Sequence, residues 1–92
     1  MRVHSLVWDE QNLDHIAEHQ VEWYEVEETV WDDSWFENRR GRQRYHVYGQ
    51  TNDGRYLFIV LDRTVNDDFY VVTARDMDDG ERKYYRRVKR KR

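Results

Sequence analysis

Arg75 closes the run 69–74, which is β-branched and aromatic without Gly or Pro, and precedes a segment carrying Arg82, Lys83, Arg86 and Arg87. A guanidinium held at a strand's end, beside a helix bearing more cations, suits a phosphodiester, because its planar fork meets two phosphate oxygens at once. The same residue equally suits a structural ion pair with a neighbouring carboxylate such as Asp76. The histidines raise a second chemistry. His15 to His19 reads H-I-A-E-H, two imidazoles one helical turn apart with Glu18 beside the second, the arrangement of inverted zinc proteases. Such a site needs a further ligand from another element and a large cleft, for which 92 residues leave little room, so no metal and no cofactor is expected. His46 alternates with Arg44 and Tyr48 in a strand, and is either a general base or a sheet-surface histidine without chemistry.

The elements that must position these residues follow from caps, turns and periodicity. Asp78 with Glu81 three residues later forms a capping box, so a basic helix starts at about 78. Residues 45–50, 55–61 and 69–75 read as strands separated by Asn52-Asp53-Gly54 and Asn66-Asp67-Asp68, which predicts an antiparallel meander. Near the N-terminus, residues 3–8 alternate as a short strand and Asp9 caps a helix. Leu13, Ile16 and Ala17 give that helix an apolar stripe, and it ends near Gln20. A second helix is expected over about 24–31, with Val26 and Val30 inward and Glu25, Glu27 and Glu28 outward. Residues 32–43, with Trp35 and Phe36, read as irregular chain or an edge strand. The fold class is therefore α+β: a small single domain over 1–92 with N-terminal helices, a mainly antiparallel sheet and a C-terminal basic helix, its basic tail starting at about 88.

A chain this short builds one thin core. Four Trp, seven Tyr and three Phe must supply the area that sparse aliphatics do not, each aromatic burying roughly 150 to 250 Å². There is no cysteine, which fits a reducing cytoplasm, and the start MRVHSLVWDE has no apolar run, so a soluble cytoplasmic protein without a membrane partner is expected. The charge is two-ended. Residues 1–37 hold eleven acids against Arg2 alone, a balance of −10, whereas residues 38–92 hold fifteen bases against eight acids, a balance of +7. A basic half can bind RNA whatever the net charge, or simply complement the acidic half.

The stretch WDEQNLDHIAEHQVEWYEVEETVW, followed by YHVYGQTNDGRYLFIVLD and YVVTARDMDDGERKYYRR, resembles the BrnT family of toxins from prokaryotic toxin–antitoxin pairs. The resemblance runs from about 7 to 87. Its most specific pieces are Trp8-Asp9-Glu10 with Asn12 and His19, the 49–57 hairpin G-Q-T-N-D-G-R-Y-L, and Thr73-Ala74-Arg75 with Glu81, Arg82 and Tyr85. It implies a RelE-like ribonuclease fold, metal-independent cleavage of RNA, and neutralisation by a BrnA-like ribbon-helix-helix antitoxin through which alone DNA is met. Such cleavage needs a base for the 2′-hydroxyl, an acid for the leaving 5′-oxygen, and cations for the phosphorane-like charge. Under that implication Arg75 is the main phosphate clamp, Arg55, Arg82, Lys83 and Arg86 assist, and His19 or Tyr85 moves the proton. Arg55, following Asn-Asp-Gly, reads equally as a solvated turn residue, and Glu81 as a cap.

The chain departs from the family pattern at the end of the first helix, where Lys or Arg, His, Gly is usual and Glu18-His19-Gln20 stands. Gln20 replaces a glycine suited to positive φ, and Trp23 stands where Pro or Phe is frequent. If the missing cation holds substrate, Glu18 repels it. That sets the alternative: a catalytically inactive BrnT-fold protein serving as a binding module for an antitoxin-like protein or RNA.

Overall fold

A computed structural model describes residues 1–32 and 34–91; Asp33, inside the stretch read as irregular chain or edge strand, and Arg92, the end of the basic tail, lie outside the described residues. The element order is β1 (Leu6–Val7), α1 (Glu10–Glu18), α2 (Trp23–Trp31), β2 (Phe36–Arg39), β3 (Arg44–Gln50), β4 (Tyr56–Arg63), β5 (Phe69–Asp76) and α3 (Asp79–Arg90). One sheet runs β1-β5-β4-β3-β2, with β2 to β5 an antiparallel meander as the turn signals predict and β1 added parallel to β5. The α+β expectation holds, and residues 36–39 resolve as an edge strand.

Alternation along β4 creates two cores. Leu57, Ile59 and Leu61 join Val47, Val71 and Ala74 beneath Ile16 of α1 and Val26 and Val30 of α2. On the other face Phe58 and Val60 join Phe36, Tyr48 and Met77 beneath Tyr85 of α3, with Tyr56, Tyr84 and Val88 at the margin. Both faces of β4 are covered, which is why its run Y-L-F-I-V-L carries no polar alternation. Among the described residues no helix is long and apolar enough to cross a membrane.

Four expectations are corrected. The first strand is only Leu6–Val7, because the chain before Ser5, whose carbonyl still accepts the Phe69 amide of β5, crosses the sheet, the Met1 amino group donating to Glu37 on β2 at the opposite edge. In α1 only Ile16 of the expected stripe is buried; the other inward position is polar Asn12. Its amide donates to the carbonyls of Val7 (2.9 Å) and Val71 (3.1 Å), while its Oδ1 accepts the Asp9 amide. One side chain thus completes the helix cap and ties β1 and β5 to α1. The glutamates of α2 are not a solvated outer face: Glu25 pairs with Arg55, Glu27 accepts the indoles of Trp8 and Trp31, and Glu28 accepts the Asn52 amide. Finally, the helical period continues past 88 through Arg90, so most of the basic tail belongs to α3. Gln20, where a glycine would fit, has φ of 60°.

Candidate functional site

α3 turns Tyr84, Tyr85 and Val88 to the sheet, leaving Lys83, Arg86 and Arg90, spaced i, i+3 and i+7, on one side. With Lys89, Gln50, Tyr56 and Tyr85 they line a groove of about 530 Å³. Among the described residues no carboxylate lines it. The Arg86 guanidinium lies 5.5 Å from the Tyr56 ring centre, and Lys89 Nζ lies 6.0 Å from that of Tyr85 while donating to the Ser34 carbonyl. Among the described residues Lys83, Arg86 and Arg90 make no ion pair. Cations without an ion pair, one of them over the half-buried Tyr56 ring, suit a single-stranded polyanion.

The other expected phosphate ligands are engaged. Arg75 donates from Nη1 (2.7 Å) and Nη2 (3.0 Å) to the two carboxylate oxygens of Glu81 and again from Nη1 to the Asp76 carbonyl. Its partner is Glu81 rather than Asp76, because neighbouring strand residues point to opposite faces while the first turn of α3 brings Glu81 back over the sheet. The guanidinium also lies 4.4 Å from the Phe58 ring centre. This end-on pairing leaves Nε–H and the second Nη2 hydrogen, the side-on fork, without a protein acceptor among the described residues. Burial pushes the Glu81 carboxyl up, but Arg75 and the Asp78 backbone amide outweigh it and hold it below its usual range. Glu81 also closes the capping box with Asp78, as expected.

Arg55 is no solvated turn residue. It donates to Asp76 (2.7 Å), Glu25 (2.9 Å) and the Gln20 carbonyl (2.8 Å), locking the α1–α2 junction to the end of β5. The hydrogen bond from Arg55 holds the Asp76 carboxyl below its usual range. Arg82 donates to the Met77 carbonyl (2.7 Å) and pairs with Asp79, within the start of its own helix.

His19 is the exposed C-cap of α1, its ring 5.4 Å from that of His15. His15 Nε2 lies 3.0 Å from Thr73 Oγ1, and its Nδ1 lies 3.8 Å from Glu18. Because α1 and α3 cover opposite faces, His19 and Tyr85 are on opposite sides of the sheet. Among the described residues no three His, Cys, Asp or Glu side chains cluster as a metal site. The Tyr85 hydroxyl donates to Gln50 Oε1 at 3.4 Å. His46 is half-buried on the face that α3 covers, its ring 5.0 Å from Phe58. Burial first, and then the charges of Arg40 and Arg44, lower its pKa.

No family model matches the chain, and no curated protein matches it.

The structure therefore brings Lys83 and Arg86 together, keeps Arg75 on the same sheet face, and separates His19 from them. Sequence reasoning missed Gln50, Tyr56, Lys89 and Arg90. For Arg90 the signal was present in the i, i+3, i+7 spacing from Lys83, and for Lys89 in its place three residues after Arg86. For Gln50 and Tyr56 it was only their placement flanking the hairpin turn.

Proposed function

We propose that this protein is a BrnT-type toxin that cleaves RNA without a metal ion, in the cytoplasm, and is neutralised by a BrnA-like ribbon-helix-helix antitoxin. The single observation that carries the RNA reading is the groove of Lys83, Arg86, Lys89 and Arg90 with Tyr56 and Tyr85, which no carboxylate among the described residues lines. The open side-on fork of Arg75 supports a phosphate clamp on the same side of the sheet. RNA brings its own 2′-hydroxyl nucleophile, so positioned cations and one proton acceptor suffice for cleavage.

The test is binding and cleavage of a labelled single-stranded RNA in EDTA. Wild type is expected to bind and cut. Lys83→Glu with Arg86→Glu is expected to weaken binding and to reduce the slope of log K against log salt by about 1.4, since each phosphate no longer neutralised removes roughly 0.7. Binding that is unaffected by the pair, or absent in wild type, rejects the groove. The separation of His19 from Tyr85 and the carboxylate partners of Arg55 and Arg75 favour the second reading, a silent RNA-binding module. That reading predicts binding without cleavage.

A further inference from the structure

His46, Phe58 and Arg75 form a row across β3, β4 and β5 on the face that α3 partly covers. Strand register places Phe58 between Tyr48 and Arg75, with His46 one position along from Tyr48 on the same face. The imidazole meets the Phe58 ring edge-on at 5.0 Å, and the guanidinium lies 4.4 Å from the same ring centre, so a proton acceptor and an anion fork lean on one apolar platform. Phe58 is buried, while His46 and Arg75 at the two ends of the row are partly exposed. Neither ring nitrogen of His46 has a hydrogen-bond partner among the described residues, in contrast to His15, which Thr73 engages.

We propose that His46 is a catalytic residue of this chain, taking the proton of the attacking 2′-hydroxyl while the side-on fork of Arg75 holds the scissile phosphate. The inference rests on the RNA-cleaving reading above and names the residue that performs its chemistry. An unprotonated ring nitrogen accepts the 2′-hydroxyl proton; the O2′–P bond forms and the P–O5′ bond breaks. The departing 5′-oxygen takes a proton from a solvent water, and His46 returns its own proton to the hydroxide left behind. The products are a 2′,3′-cyclic phosphate and a 5′-hydroxyl, with no change of oxidation state.

The charges facing His46 suit the role. Arg40 from the β2–β3 turn, Arg44 from its own strand and Arg75 from β5 disfavour the imidazolium, and Glu81 from α3 favours it. Arg44 is itself neutralised by Asp62 at 2.8 and 2.9 Å, whereas Arg40 makes no ion pair among the described residues. His46 is therefore the unprotonated base at neutral pH, with Arg40 left to face the charge that builds on the phosphoryl oxygens. His19 has no such setting: it caps α1, on the opposite side of the sheet from this row.

Cleavage of single-stranded RNA should be compared in wild type, His46→Gln, His46→Ala and His19→Gln. His46→Gln is expected to lower kcat by roughly 10² to 10⁴, with KM, RNA binding and melting temperature near wild type. Added imidazole should partly restore His46→Ala. His19→Gln should cleave normally. In wild type, kcat/KM should fall in acid only below the ordinary histidine range, because protonating His46 in the free protein removes the base; this limb needs no variant to fold. Wild-type kcat in His46→Gln, or an acid limb that it retains, overturns the proposal. Cleavage absent in wild type rejects the ribonuclease reading itself, and His46 with it.

Discussion

Arg75 and Glu81 offer the sharpest separation of structure from function, because one side chain is asked to do both. The pair is bidentate, at 2.7 and 3.0 Å, with the arginine side chain 36% and the glutamate 19% exposed. A charge-assisted hydrogen bond contributes roughly 1.5 to 3 kcal/mol when sheltered, and solvent screening at this exposure reduces the pair to about 1 to 1.5 kcal/mol. The guanidinium over Phe58 adds about 0.5 to 1 kcal/mol. Arg75→Ala should therefore lose about 2 kcal/mol, a fall of roughly 8 to 16 °C in melting temperature for a domain of this size. Glu81→Gln keeps a capping-box side chain at the same helical position, so it should lose only about 1 kcal/mol. The two changes part in function. Arg75→Ala removes the phosphate fork and should slow RNA cleavage on the order of ten- to a hundredfold. Glu81→Gln frees the guanidinium from its counter-charge and should tighten RNA binding. Arg75→Lys, with charge but no fork, should recover only part of the rate. The assays are thermal melts and RNA cleavage on the same four proteins, at temperatures where all are folded. A full rate in Arg75→Ala, or weaker binding in Glu81→Gln, refutes the clamp and leaves a purely structural pair. The pH dependence gives an internal control. Glu81 has a folded pKa below its usual value, so its stabilisation is complete above the usual carboxylate range and is lost as pH falls through the depressed folded value. The melting difference between wild type and Glu81→Gln should therefore close in acid.

Two further predictions concern the frame. Asn12→Ala removes the donor to two strand carbonyls and half of the α1 capping box from a site only 2% exposed, and should cost about 2 to 3 kcal/mol, read as a denaturant midpoint. Gln20→Gly relieves a non-glycine φ of 60° and should raise the melting temperature, by the equivalent of about 0.5 to 1 kcal/mol after the extra chain entropy of glycine is counted.

What could be read from the chain was whatever adjacent residues decide. The turns at 52–54 and 66–68, the caps at Asp9 and Asp78 and the β-branched runs each act over a few residues, and the elements they imply are present within one or two positions. Contacts made by the topology were not legible. Nothing local shows that the chain before Ser5 crosses the sheet to bring Met1 to Glu37, that Leu6–Val7 adds parallel to β5, or that a polar residue, Asn12, faces inward in α1. The site divides along the same line. Lys83 and Arg86 were readable as one helical face, whereas Arg55 is claimed by Glu25, thirty residues away, and by the Gln20 carbonyl.

The two-ended charge of the sequence is thereby redistributed on folding. Glu27 and Glu28 are held by two indoles and by Asn52 and keep their charge, whereas Glu25 is neutralised by Arg55 from the basic half, so an ion pair spans the two halves. The basic half loses Arg44, Arg55, Arg75 and Arg82 to carboxylates in the same way. Lys83, Arg86 and Arg90 escape because the acids of α3, Asp79 and Glu81, lie only in its first turn, where they complement the helix dipole and leave the later turns without an ion pair among the described residues. The same capping chemistry that starts the helix therefore sets which of its cations remain available to an anion.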